Sequence, residues 1–262
     1  MTNTTLTHSQ KRRIRKRILR RADRVEERLR DVSEGRTIPN KRNQRLNEPR
    51  QYELAMVFID IDGFSQYVFD NNDKEVLYML GVFIPEAMKL VREYNGYFEK
   101  NTGDGLLAYF GFGEDPTTSI SNLLAYLSTV RWALSKEINP LLKEYDLSPI
   151  SISGGATFGR TYLSRLGERD MEQELNRLTG VSTVANIASR LEERADEEEF
   201  LVGPNIWYHS DPDSFRQFLK PHSIFSKYTW RNPETDENEP YQIYEFQGGW
   251  EGIDVSSTVA EE

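Results

Sequence analysis

The sequence predicts an α+β fold, and two kinds of pattern carry that prediction. Apolar runs of strand length alternate with longer stretches in which apolar residues recur every three or four positions, as on one face of a helix. Glycine-rich turns separate several of these segments. From residue 53 to residue 157 the order is strand, helix, strand pair, helix, strand. That is the order of a ferredoxin-like split βαβ sheet.

The individual elements of this half follow from local patterns. An apolar run at 53–61 suits a buried strand, and the periodic segments 72–95 and 116–139 predict helices. The helix at 72–95 is expected to face inward with Val76, Leu77, Leu80, Phe83, Met88, Leu90 and Val91. A strand pair is predicted at 96–100 and 105–111, around Gly103-Asp104-Gly105. Residues 149–157 alternate as a strand does, and their double glycine indicates a bend or a close backbone approach.

The C-terminal half continues the alternation with weaker signals. Residues 160–178 are polar and predict an arm or loop. Further elements are a helix at 183–195 and strands at 198–202, 222–230 and 240–247. We expect residues 251–262 to form a disordered tail.

The composition excludes several classes of protein. The 262 residues include no cysteine, so disulfides and thiolate metal sites are absent. No apolar run approaches the roughly 18–20 residues that span a bilayer, and the N-terminus lacks the apolar stretch of a secretory signal. We therefore expect a cytoplasmic protein without stable membrane insertion.

The charge is distributed unevenly along the chain. The net charge is −9, yet residues 1–50 hold 16 Lys or Arg against 6 Asp or Glu. Residues 11–30 predict a basic helix with one narrow apolar stripe, made of Ile14, Ile18, Ala22, Val25 and Leu29. Such a helix could contact nucleic acid or an anionic membrane; we favour packing of the stripe on the body or on a dimer partner, with nucleic acid unlikely as a ligand. Residues 34–50 predict a linker, so the expected domains are 1–50, 51–250 and 251–262.

Two segments place a carboxylate at the end or turn of an apolar run. They are Val57-Phe58-Ile59-Asp60-Ile61-Asp62-Gly63-Phe64-Ser65 and the stretch KNTGDGLLAYFG over 100–111. A carboxylate within an apolar run is unfavourable unless it is paired or binds a metal. Asp60 and Asp104, brought together at a sheet edge, would form a site for one or two hard divalent cations. Asp62 stands at the turn that follows the run, so we expect it to serve the turn instead of the metal.

A third segment combines an amide and a fixed cation. Thr179 to Glu192 reads TGVSTVANIASRLE, and Asn186 and Arg190 are four residues apart, on one side of a helix. Such a pair can hold a sugar and a phosphate. On these two residues alone, solvated helix positions would be the better interpretation.

With all three segments in this order, the sequence resembles the class III nucleotidyl cyclases, the adenylate and guanylate cyclase family, over about residues 54–200. The resemblance implies that Asp60 and Asp104, with the Ile61 carbonyl, hold two Mg²⁺ or Mn²⁺ ions. It implies that Asn186 orients the ribose and that Arg190 stabilises the transition state at the α-phosphate.

The resemblance also implies an assembly and a set of substrate contacts. The expected homodimer has two equivalent sites at its interface, with the metal carboxylates from one chain and the transition-state residues from the other. Phe58 and Lys227 are candidate substrate-binding residues, Lys227 for the terminal phosphates with Lys220 behind it. By position, Lys100 and Thr179 would contact the base.

The chemistry of the base-contacting pair narrows the substrate. Lys100 supplies only donors and Thr179 can donate or accept, which argues against guanine and allows adenine or uracil. The short layout resembles the stand-alone pyrimidine cyclases of Pycsar anti-phage systems, whose product activates a separate effector. We therefore favour conversion of UTP to cyclic UMP. The alternatives are a cytidylate cyclase, an adenylate cyclase and, more remotely, an inactive nucleotide-binding module.

Overall fold

The computed structural model describes residues 30, 32–35, 45–101, 103–167 and 177–249. The predicted C-terminal tail and nearly all of the predicted basic helix lie outside these residues. The chain divides into two compact units, which we call the arm unit (Met1–Tyr52 and Tyr162–Val181) and the sheet unit (Glu53–Thr161 and Ser182–Glu262). Among the described residues, no helix combines the length and the apolarity that crossing a membrane requires.

The described elements alternate between strands and helices. The strands are β1 Pro49–Ile61, β2 Tyr97–Asn101, β3 Leu106–Phe110, β4 Ile152–Leu166, β5 Arg177–Val181, β6 Phe200–Val202, β7 Leu219–Arg231 and β8 Asn238–Phe246. The helices are α1 Phe64–Asp70, α2 Asp73–Glu93, α3 Pro116–Ala133, α4 Asn139–Glu144, α5 Thr183–Glu192 and α6 Pro204–His209. A π-helical turn, Leu134–Ile138, joins α3 to α4.

The strand order confirms the predicted fold. The sheet runs β2-β3-β1-β4-β6-β8-β7, and β5 pairs with the outer part of β4. Strands β1 and β3 are antiparallel, as are β2 and β3. Helix α2 connects β1 to β2 and helix α3 leads from β3 towards β4. This is the βαββαβ arrangement of a ferredoxin-like sheet, extended by β6, β8 and β7.

The two faces of β1 enter different surroundings in the sheet unit. Ala55, Val57, Ile59 and Ile61 belong to one large hydrophobic cluster with residues of α2 and α3. We call this side the helix face. The intervening residues point to the opposite side, since side chains alternate along a strand. That side, the site face, carries Leu54, Met56, Phe58 and Asp60.

A second, smaller hydrophobic cluster joins α5 to the hairpin of β7 and β8. Its members include Ile187 and Leu191 of α5 and Phe225, Tyr241 and Ile243 of the hairpin. The N-cap of α5 lies on the site face, because the Thr161 hydroxyl contacts both Met56 Sδ and the Ser182 hydroxyl. Helix α5 is therefore fixed on the site face by its own small core.

Two local predictions need correction. Leu77 was expected to face inward and is 67% exposed, because the buried stripe of α2 runs through Val76, Met79 and Phe83. The polar segment 160–178 is not simply a loop: β4 continues to Leu166, and β5 begins at Arg177. Alternating burial of Thr161 and Leu163 fixes that part as strand despite its polar residues.

Candidate active site

Strand register brings the two predicted metal carboxylates together. The last pair of the β1–β3 ladder is Ile59 with Leu106. Asp60 follows Ile59, and Asp104 precedes Leu106 by two residues in the turn from β2. Gly103 in that turn has φ +111°, a conformation that residues with a side chain rarely adopt. The chain therefore turns tightly enough for the charge of Asp104 to act on the Asp60 carboxylate.

Burial and negative charge raise the pKa of Asp60. Its side chain is half-buried, and burial raises its pKa from 3.8 to about 6, with further contributions from the charges of Asp104 and Asp62. The Ile61 backbone N–H opposes this effect by hydrogen bonding to the carboxylate. Among the described residues, the charges that act on Asp60 are thus carboxylates.

This arrangement fits a hard divalent cation. Carboxylate oxygens at close range are the ligands that Mg²⁺ prefers, and such ions are commonly bound by one or two carboxylates together with substrate phosphates. Within the described part of the chain, no group of three or more acidic or histidine side chains is arranged to hold a metal. Two carboxylates, a backbone carbonyl and substrate oxygens would have to complete the coordination.

A row of positions across three strands leads away from the carboxylates. Phe58 lies opposite Leu107 of β3, and Leu107 lies opposite Lys100 of β2. Phe58 is half-buried and two residues from Asp60, on the same side of β1. Lys100 thus occupies a backbone position in line with Phe58, next to a bulge between Phe98 and Lys100.

Helix α5 presents the predicted amide and cation. The Ser182 side chain caps its N-terminus by accepting from the Ala185 N–H at 2.9 Å. Asn186 is exposed in the first turns, and Arg190 lies one turn further on, half-buried. The Arg190 Nε is buried and finds no hydrogen-bond partner among the described residues. A donor in this state is available to an acceptor from outside the chain.

The double glycine Gly154-Gly155 makes the close backbone approach that the sequence predicts. A Cβ on Gly155 would lie 2.2 Å from the Ala188 carbonyl oxygen and from the Glu192 amide nitrogen. A Cβ on Gly154 would lie 2.7 Å from the Phe58 carbonyl oxygen. Strand β4 therefore packs against the backbone of α5 on one side and of β1 on the other.

Glu192, at the end of α5, is a site residue that the sequence did not indicate. It is half-buried, and burial raises its pKa from 4.5 to about 7, with the charges of Asp60, Glu193, Asp104 and Asp62 adding to the effect. Within one chain, α5 thus brings a third carboxylate towards the pair. Only the tertiary fold shows this, since residue 192 is far from both motifs in sequence.

Asp62 behaves as predicted for a residue of the turn. Its carboxylate accepts from the Glu198 backbone N–H at 3.0 Å, and its own N–H donates to the Ser151 carbonyl at 3.0 Å. Glu198 has φ +62°. Asp62 therefore holds the loop between α5 and β6, while its charge still acts on Asp60.

Two predicted residues lie outside this group. Lys227 is exposed on β7, in the bulged stretch between Ile224 and Thr229. Thr179 belongs to the arm unit, where β5 pairs it with Ser164 of β4. Neither position tests the predicted contacts with phosphate or base.

Comparison with solved structures identifies the architecture. The guanylyl cyclase Cya2 superposes with a TM-score of 0.62 at 16% identity, covering 78% of this chain and 96% of that chain. The adenylyl cyclase CyaB from P. aeruginosa gives a TM-score of 0.62 at 18% identity, covering 77% and 97%. The chain has the class III nucleotidyl cyclase fold. The resemblance predicted from the three sequence segments is thereby confirmed.

Both curated relatives that match this chain are named cytidylate cyclase. A cytidylate cyclase from Staphylococcus aureus is 24% identical over 174 residues, which is 65% of this chain and 41% of that protein. A cytidylate cyclase from Escherichia coli is 23% identical over 161 residues, 58% of this chain and 34% of that protein. The chain thus spans well under half the length of these relatives. No family model matches it.

Proposed function

We propose that the protein is a nucleotidyl cyclase that converts a nucleoside triphosphate to a 3′,5′-cyclic nucleotide and pyrophosphate. The observation that carries the proposal is the half-buried pair Asp60 and Asp104, in which burial and then the charge of Asp104 raise the pKa of Asp60 to about 6. Holding two carboxylates together is unfavourable unless a cation neutralises them. A domain that only had to be stable would gain by replacing one of them.

The residues divide the chemistry between them. Asp60, Asp104 and the Ile61 carbonyl would hold two Mg²⁺ or Mn²⁺ ions, which supply charge neutralisation at the phosphates and acidify the ribose 3′-hydroxyl. Asn186 orients the ribose. Arg190 directs a planar, permanently charged fork at the α-phosphate while the 3′-oxygen attacks phosphorus and the bond to pyrophosphate breaks.

A homodimer with shared sites is part of the proposal. Among the described residues, the charges that act on Asp60 are carboxylates, so they do not supply the cation that the α-phosphate requires. The Arg190 Nε, in turn, lacks a hydrogen-bond partner among the described residues. The arm unit offers an apolar surface for association. Tyr162, Leu166 and Val181 are 38%, 47% and 64% exposed, and Tyr162 lies opposite Val181 across the β4–β5 ladder.

The proposed substrate is a pyrimidine nucleoside triphosphate. Uracil offers two carbonyl acceptors to a donor-only Lys100, which favours UTP. The names of both curated relatives favour CTP as the second candidate. We further propose that the cyclic product acts on a separate effector in anti-phage defence, a role that the resemblance to the Pycsar cyclases suggests.

Product analysis tests the activity and the base together. Purified protein is incubated with Mn²⁺ and each of ATP, GTP, CTP and UTP, and products are identified by mass spectrometry, with Asp104→Ala as control. Cyclic UMP or cyclic CMP, lost in the control, supports the proposal. Dominant cyclic AMP refutes the pyrimidine assignment. If no cyclic product forms although the protein still binds nucleotides, the proposed enzymatic activity is refuted.

Mixing two inactive variants tests the shared site. Asp104→Ala removes the carboxylate half and Arg190→Ala the cation half. If sites combine residues of two chains, random mixing restores roughly a quarter of wild-type activity, because half of the dimers carry one intact site of two. If mixing does not restore activity although subunit exchange is confirmed, all four residues of each site come from one chain.

A further inference from the structure

A second concave site lies in the sheet unit, apart from the candidate active site. It is a cleft of about 580 Å³, within the range of small-molecule pockets. Helix α6, the segment that follows it and the β7–β8 hairpin form its walls. Asp60, Asp104, Asn186 and Arg190 do not line it. The proposed cyclase chemistry therefore leaves this cleft without a role.

Aromatic side chains form much of the cleft wall, and they are fixed in place. Trp207 and Tyr244 stack with a centroid separation of 5.5 Å and an interplanar angle of 8°. Tyr208 and Trp230 lie 6.0 Å apart at 57°. The Trp230 indole N–H donates to the Asn205 side chain, which in turn donates to the Phe158 carbonyl at 3.0 Å. The aromatic wall is therefore held in a prearranged geometry.

The polar lining includes three carboxylates. Asp211, Glu234 and Glu239 line the cleft, and none of them forms an ion pair within the described part of the chain. Glu239 lies beside an aromatic wall, since its charge adds to burial in raising the pKa of the Tyr244 hydroxyl. Negative charge next to π faces attracts a cation by two mechanisms at once.

The cation that already lines the cleft is held by other partners. The Arg216 guanidinium lies 5.2 Å from the Trp207 ring centroid, and its Nη2 donates to the Tyr208 and Ser210 carbonyls. Arg216 is thus held by the backbone and by one ring, although its buried Nε finds no hydrogen-bond partner among the described residues. It shows that a cation is stable against this wall, and it leaves the three carboxylates uncompensated.

We propose that this cleft binds a small organic cation, an ammonium or guanidinium group on a short carbon chain. The aromatic wall supplies the cation–π contact, and Glu239 and Glu234 accept hydrogen bonds from the N–H groups. The same charges oppose a free nucleotide, because its phosphates would meet the three carboxylates. The site is separate from the substrate site and does not depend on the proposed activity.

Isothermal titration of the full chain with agmatine, in the presence of MgCl₂ and at matched ionic strength, tests the proposal. We expect saturable binding at one site per chain and at least a fivefold loss of affinity in Glu239→Gln, which preserves side-chain shape. Glu234→Gln, at an exposed position, should weaken binding similarly without affecting folding. Glu237→Gln is the matched control, because Glu237 lies in the same hairpin, is exposed and does not line the cleft.

The outcomes separate this site from general attraction to an acidic surface. An equal loss of affinity in Glu237→Gln overturns the proposal, as does the absence of saturable binding. Tetramethylammonium, which has no N–H donor, should bind more weakly than agmatine and be less sensitive to Glu239→Gln. Preferential binding of AMP or phosphate to the cleft refutes the charge assignment, and binding of an arginine-containing peptide where agmatine fails refutes the small-molecule class.

Discussion

The two faces of β1 differ in their burial and in their polarity. On the helix face, Ile59 and Ile61 are each 2% exposed and Val57 is fully buried. That face is apolar to its end and packs on α2 and α3. On the site face, Met56 is buried, whereas Phe58 and Asp60 are half-buried.

The difference shows how one strand separates stability from chemistry. Since alternate residues point to opposite sides, the strand can end in an unfavourable carboxylate on one face without interrupting the core on the other. Substitutions on the helix face should change folding. Substitutions at the end of the site face should change product formation.

The largest effect should come from Asp60→Asn. We expect cyclic-nucleotide formation to fall by about 1,000-fold or more, since charge neutralisation by bound metal contributes several kcal/mol to catalysis. The free energy of unfolding, measured in urea, should be unchanged or higher, because the substitution removes a half-buried carboxylate with a raised pKa. An enzyme that keeps a tenth of its activity would place the essential ligand elsewhere.

Asp62→Asn is the matched control for this substitution. It alters the adjacent carboxylate, which holds the Glu198 N–H. It should lower stability by about 1–2 kcal/mol through the weakened hydrogen bond and retain activity within about tenfold. If it abolished activity as Asp60→Asn does, the role proposed for Asp60 would not be distinct from that of the turn carboxylate Asp62.

Ile59→Ala tests the helix face at the neighbouring residue. Removing a fully packed side chain from the large cluster should lower the free energy of unfolding by about 2–5 kcal/mol. Product formed per folded molecule should stay within about twofold of wild type at low temperature. Loss of activity at full folding would show that the core position controls the carboxylates directly.

Gly155→Ala should misplace helix α5 on the site face. The new Cβ would lie 2.2 Å from backbone atoms at Ala188 and Glu192, so the helix must shift. A shift near 1 Å can reduce turnover about 100-fold, and we expect that loss in steady-state rates. Gly81→Ala is the control: it is exposed in α2 with no atom near its Cβ, and should add about 0.5–1 kcal/mol of stability.

The sequence predicted those parts of the fold and site that depend on local pattern. The core strands and helices follow from periodicity, and the Asp60 and Asp104 pairing follows from two turns after apolar runs. The continuation of β4 past Arg160 could not be predicted, because Arg160, Ser164 and Arg165 interrupt the apolar alternation. Glu192 was missed for another reason, since its surroundings are created by residues distant in sequence.

The smallest predicted effect is the dependence of stability on pH, which comes from the site face of β1 and leaves the core unchanged. In the folded, metal-free protein the pKa of Asp60 is raised from 3.8 to about 6, and that of Glu192 from 4.5 to about 7. The folded state therefore binds these protons more tightly than the unfolded state does. Stability from this source is fully present below about pH 4 and is lost as the pH rises through 6 and 7.

Thermal unfolding of wild type and Asp60→Asn between pH 4 and pH 8, without metal, isolates this contribution. The stability advantage of Asp60→Asn should increase with pH up to about 6 and then level off, because only the wild type then buries a charged carboxylate. Glu192→Gln should show the same trend extended towards pH 7. Mn²⁺ added at pH 8 should raise the melting temperature of wild type more than that of Asp60→Asn, since the cation neutralises carboxylates that have lost their proton. A difference that is flat with pH would mean that solvent screens the pair, and the site face would then resemble the rest of the protein surface.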